Sequence, residues 1–201
     1  MYVIKRIFVW LRRIGRCRGF GIQSPWAFNL ATRVINDHTK LDAYTALSSK
    51  YPRQGAPCRK LRQLYLRLAS SLAPASSLCV GKEAAITADY ILAGHQYTSV
   101  IKLPATVSDE EIRAAVSKMA QPWFAVVSPC DSADRLVKHL SDNAADGSML
   151  VIESIKDNGR MKALWSEILS VTPRVVTFDL YYCGLVYFDK KRYKQNFIIN
   201  F

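Results

Sequence analysis

The chain has 201 residues, half of them hydrophobic, which is enough for one ordinary domain with a real core plus an extension. Its formal charge of +12 is unevenly placed: residues 1–67 hold 14 Lys/Arg against only Asp37 and Asp42, and the rest of the chain is balanced. Five widely spaced cysteines (Cys17, Cys58, Cys79, Cys130, Cys183) and three histidines give no metal-type spacing, so neither a zinc site nor a disulfide framework is expected.

Residues 2–14 read as a helix, because Ile4, Ile7, Phe8, Leu11 and Ile14 fall at helical spacing with Lys5, Arg6, Arg12 and Arg13 between them. Its apolar runs are broken by charge and no small-residue cleavage site follows, so it is not a signal peptide. Nothing approaches the roughly 20 apolar residues of a membrane span. A cytoplasmic protein, membrane-peripheral at most, is therefore expected. Residues 1–18 suit either an anionic membrane surface or acidic partner, or plain packing on the domain or a sister subunit. Nucleic acid fits the charge alone, without a recognised motif.

Residues 15–21 form a basic, glycine-containing linker. Ser24 is placed to cap a helix opening at Pro25 and running to about residue 36. Residues 37–56 read as a polar loop, and another helix begins near Pro57 and stops before Pro74. These elements make residues 1–73 a basic helical region, followed by a Rossmann-like unit over 74–201.

In that unit strands are expected at 77–80, 98–103, 123–128, 149–153, 174–180 and 185–188, with a last extended piece near 197–200. Helices fit at 82–93, 109–119, 132–143 and 160–171, the second opened by a capping box of Ser108 and Glu111. Short apolar strands alternating with helices mean a doubly wound, mostly parallel sheet. The few residues around Gly184 can only make a turn between antiparallel strands, which gives a C-terminal edge hairpin. Residues 101–121 are short for a full strand–helix–strand, so one sheet edge is expected to be trimmed. The unit at 76–94 is the natural ligand position, since a strand ending at Gly81 delivers a helix N-terminus.

The stretch Gly19-Phe20-Gly21-Ile22-Gln23-Ser24-Pro25-Trp26 is similar to the N-terminal signature of a small bacterial family of class I S-adenosylmethionine-dependent methyltransferase-like proteins. That family has glycine–aromatic–glycine followed by His-Ser-Pro-Phe. The resemblance extends through Arg62 to Leu68, residues 76–94, Asp146-Gly147 with Val151-Ile152-Glu153, Met161 to Trp165, and Phe178-Asp179-Leu180 with Gly184-Leu185-Val186. It implies a class I methyltransferase fold and an S-adenosylmethionine site at the carboxyl ends of the strands. Gly81, Lys82, Glu83, Lys102 and Ser128 are then the cofactor-contact positions, and Asp131 and Glu153 the candidate catalytic acids.

The departures from the family are concentrated in those positions. Cys79 stands where the first strand should end in an acid, and Ala85 replaces the next glycine of the turn. Lys102 stands where an acid should bind the ribose hydroxyls. A buried carboxylate–diol contact contributes about 1.5–3 kcal/mol, so its loss weakens binding about ten- to a hundredfold. Basic Lys102 would better suit a 2′-phosphate, although no G-x-G-x-x-G accompanies it. Gln23, where relatives carry His, cannot act as a base. Asp131 is also placed to cap the helix at 132. The departures imply a methyltransferase-like protein with weak or no cofactor binding that serves as a scaffold or binding module. The alternative is an active methyltransferase on a small-molecule or macromolecular acceptor.

Overall fold

A computed structural model describes residues 2–16, 19, 21–171 and 175–201. Cys17, Arg18, Phe20 and Arg174 lie outside the described residues, so the aromatic of the glycine–aromatic–glycine signature and the start of the 174–180 strand do too. Seven strands form one sheet: β1 (Ser76–Val80), β2 (Ser99–Leu103), β3 (Trp123–Val127), β4 (Met149–Glu153), β5 (Val175–Asp179), β6 (Cys183–Phe188) and β7 (Gln195–Ile198). Their order is β2-β1-β3-β4-β6-β5-β7. The pairs β1–β2, β1–β3, β3–β4 and β5–β7 are parallel, and β6 runs antiparallel between β4 and β5. The sheet is thus mostly parallel, with the antiparallel hairpin toward one side and β7 beyond it. At the opposite edge β2 is outermost, and the chain returns to β3 through α6 (Asp109–Ser117), so the span expected to be short for a full strand–helix–strand holds a complete one.

Side chains alternate across the strands and build two cores. Leu78, Val80, Trp123, Ala125, Val127, Leu150 and Ile152 face α6, α7 (Ala133–Asp142) and α8 (Gly159–Val171). Cys79, Phe124, Val126, Met149 and Val151 face α2 (Pro25–Leu30) with its π-helical continuation Ala31–Ile35, α4 (Ala56–Leu72) and α5 (Ala84–Gly94). The basic N-terminal helices α2 and α4 therefore share one layer of the structure with α5. Local signals set several boundaries: the Ser24 hydroxyl accepts from the Ala27 amide at the start of α2, and Ser108 and Glu111 form the expected capping box.

Two expectations are corrected. Residues 37–56 are not all loop, for α3 spans Asp42–Lys50. Its sequence carries little apolar periodicity, and the helix is held from outside. Leu47 packs with Leu66 and Tyr90, Lys50 Nζ lies 2.6 Å from Asp89, Tyr51 donates to the same carboxylate, and Arg67 reaches the Tyr44 hydroxyl. Gly184 is not in the hairpin turn but in β6, and the left-handed turn residue is Tyr181, with φ of 73°.

The N-terminal helix α1 (Tyr2–Arg12) continues into a 3-10 turn at Ile14–Arg16 that is tied to the far edge of the sheet. Arg13 donates to the Asp179 and Ile199 carbonyls and to the Asp179 carboxylate, whose other oxygen lies 2.8 Å from Lys156 Nζ. Burial alone would raise the Asp179 pKa, but the bonds from Lys156 and Arg13 outweigh it and hold the group below the usual carboxylate range. A carboxylate depressed on folding contributes stability above its unfolded pKa of about 3.9 and loses it as pH falls through the lower folded value. Asp179→Asn should therefore cost about 2 kcal/mol at pH 7. In urea unfolding, the gap between the two proteins should stay constant down to about pH 5 and close below about pH 4.

Candidate functional site

The carboxyl ends of β1, β2 and β3 meet at the turn that precedes α5. Gly81 there has φ of +124°, a conformation that L side chains rarely adopt. A Cβ on Gly81 would lie 2.7 Å from the Ser128 Cβ and 3.1 Å from its Oγ. The glycine is therefore required by the chain's own close approach between β1 and β3. Three backbone bonds stitch the turn: Gly81 donates to the Leu103 carbonyl, Ser128 to Val80, and Ala84 to Gly81. Helix α5 starts at Ala84, so Lys82 and Glu83 occupy the turn, Lys82 in solvent.

Glu83, at the N-cap position of α5, makes no side-chain cap bond there. Its carboxylate instead pairs with Arg62 of α4, whose side chain is 4% exposed while that of Glu83 is 56% exposed. Together with Pro57, Cys58, Leu61, Glu153, Ser154, Asp157 and Tyr182 they line a cavity of about 180 Å³. Glu153, the last residue of β4, accepts a 2.6 Å bond from the hydroxyl of Tyr65, one turn beyond Arg62 on α4. Burial, reinforced by the Glu153 charge, pushes the Tyr65 pKa far above its ordinary value and keeps it a donor. Ser154, with φ of 58°, donates its amide to the Tyr182 carbonyl at 2.7 Å. Among the described residues, Nη1 of Arg62 is buried with no hydrogen-bond partner.

The sequence-derived candidates do not converge. Glu83 and Glu153 share the cavity, whereas Gly81, Lys82, Lys102, Ser128 and Asp131 are not part of its wall. Lys102 stands in register with Cys79 on β2 and is exposed, and Cys79 is fully buried, its thiol pushed up to about 12 chiefly by burial. Asp131 is exposed beyond β3 and its carbonyl accepts from Arg160. The helix it was expected to cap has Ser132 at the N-cap position, with no side-chain cap bond. Gln23 is exposed ahead of α2. Among the described residues no three His, Cys, Asp or Glu side chains gather as a metal-binding group. The sequence reading placed no function on Arg62 or Tyr65. The available signal was a basic residue set among Leu61, Leu64, Leu66 and Leu68 on a helix face that must be buried.

S-adenosylmethionine, the cofactor implied by the resemblance, can be tested against these groups. The β1 turn is occupied by Ser128 and by the Arg62–Glu83 pair, β2 brings a lysine where a ribose acid is needed, and the adjoining cavity is small. Pockets that enclose drug-sized ligands run from about 300 to 1,000 Å³. Around this turn the described residues offer the cofactor no acid at the end of β2 and a cavity below that range.

No family model matches the chain, and no curated protein does. Among solved structures it is similar to the O-methyltransferase from Bacillus cereus, crystallised in complex with SAH. The TM-score is 0.53 at 10% sequence identity, covering 74% of this chain and 91% of that one. At that identity the likeness concerns architecture alone: this chain has the Rossmann-like fold of the class I methyltransferases.

Proposed function

We propose that the protein is a methyltransferase-fold scaffold or binding module whose own side chains occupy the place of the cofactor. The observation that carries this reading is the Arg62–Glu83 pair drawn across the β1–α5 turn, beside a glycine already packed on Ser128. A ligand entering there would have to part a buried guanidinium from its carboxylate, and stranding such a charge costs about 2–4 kcal/mol once screening on the exposed Glu83 side is allowed for. Exposed Lys102 in place of a ribose-binding acid removes a gain that would offset it. Calorimetric titration with S-adenosylmethionine and SAH tests this directly. No heat of binding is expected up to millimolar ligand, and a micromolar Kd for either compound would overturn the reading.

One observation favours the alternative of an active S-adenosylmethionine-dependent enzyme. Arg62, whose buried Nη1 has no hydrogen-bond partner among the described residues, shares its cavity wall with the carboxylates Glu83, Glu153 and Asp157. A guanidinium beside acids suits a zwitterionic amino-acid group, such as that of the cofactor. On that reading Arg62→Met abolishes micromolar binding that the native protein displays.

A further inference from the structure

We propose that α1 and the following 3-10 turn dock the protein on the surface of an anionic lipid bilayer. The proposal stands independently of whether the cofactor site is closed. Ile7, Phe8, Leu11 and Ile14 are each more than half exposed, and Trp10 nearly so. Ile7, Leu11 and Ile14 recur at helical spacing and make one stripe, flanked by Phe8 and Trp10. Val9 and one side of Trp10 line the groove toward the body with Phe28, Thr32 and Phe201, while Ile7, Phe8, Leu11 and Ile14 are left in solvent.

The stripe is presented rather than loose. Arg13 holds the end of the helix to Asp179 and Ile199, the Asn200 amide donates to the Arg16 carbonyl, and the Asn200 side chain reaches the Trp10 carbonyl. Arg13 is thus used internally, but Arg12 and Arg16 are exposed beside the stripe. No acidic residue precedes Asp37, and the first 36 residues hold seven Lys/Arg.

Charge decides the occupant. A second copy would bring the same cationic face against this one, and like charges would repel across the contact. Nucleic acid would satisfy the arginines but leave the isoleucines, leucine and phenylalanine in water. An anionic bilayer satisfies both, with apolar side chains at the acyl boundary and arginines among the headgroups. At about 1.5 Å per residue the helix is much shorter than a bilayer core. Among the described residues no helix is long and apolar enough to cross a membrane, so α1 would lie in the interface plane.

The full chain should be tested by flotation with phosphatidylglycerol–phosphatidylcholine vesicles and with pure phosphatidylcholine vesicles. Binding is expected to the former, weakening as salt rises. Two variants separate the contributions, each checked by circular dichroism for an unchanged fold: Phe8→Glu with Leu11→Glu, and Arg12→Glu with Arg16→Glu. Each pair should weaken binding at least about tenfold. The proposal is overturned if the native protein stays unbound at millimolar anionic lipid, or if neither pair changes its affinity. It is equally overturned if sedimentation velocity finds a dimer that the Phe8→Glu/Leu11→Glu pair dissolves while lipid is ignored.

Discussion

Glu83→Ala is expected to destabilise the protein by about 2–4 kcal/mol, although the residue it removes is more than half exposed. The cost falls on its partner. Arg62 is almost wholly buried, and one of its terminal nitrogens already lacks a hydrogen-bond partner among the described residues. Without Glu83 the guanidinium keeps its desolvation penalty and loses its compensating charge, the situation in which breaking a buried pair is most damaging. The lower end of the range allows for solvent screening on the Glu83 side. Arg62→Met should cost distinctly less, since it replaces the cation with an apolar chain of similar length and returns Glu83 to water. Urea unfolding with an unchanged slope would read both values. Equal costs, or a neutral Glu83→Ala, would mean that Arg62 turns to another carboxylate of the cavity wall, Glu153 or Asp157. That result would also weaken the case that the pair closes the cofactor position.

The pattern of this site explains why the fold was more legible than the chemistry. Strands such as Met149–Glu153 are short apolar runs bounded by Gly, Pro or Asp, and their alternation with helices leaves one topology class open. Helix α3 was not visible, since Lys50, Tyr51 and Tyr44 are fixed by Asp89 and Arg67 from other helices, a tertiary cause with no local signature. The cavity was hidden for the same reason. Arg62 meets a carboxylate 21 residues away and Tyr65 one 88 residues away, and no spacing rule reaches that far. Cys79 and Lys102, at the ends of the first two strands, could be named from the sequence, whereas the Arg62–Glu83 pair beside them could not.

Gly184→Ala should be the other change with a large effect, about 3 kcal/mol, equivalent to a fall in Tm of roughly 6–12 °C for a chain of this size. The glycine invites a turn assignment, yet it is the second residue of β6, paired with Ile152 on one side and Asp179 on the other. Its own conformation is not the reason for it, because the left-handed residue of the hairpin is Tyr181. The reason lies on the face shared with Val186 and Phe188, where α8 crosses the sheet. A Cβ at position 184 would sit 2.3, 2.5 and 2.6 Å from three atoms of the Trp165 ring. The ring is 2% exposed and packed in the core with Met161, Leu164 and Ile168. An indole has no flexible end to yield, so the added methyl must lift the helix or bend the central antiparallel strand. Overpacking of this kind costs about 1–3 kcal/mol, more where backbone has to move. The mechanism is separable from a simple change of strand propensity, for which alanine would be mildly favourable over glycine. Gly184→Ala combined with Trp165→Leu should be more stable than the sum of the two single changes predicts, because the smaller side chain admits the methyl. Strict additivity in thermal or urea unfolding would show that Trp165 is not what the glycine accommodates.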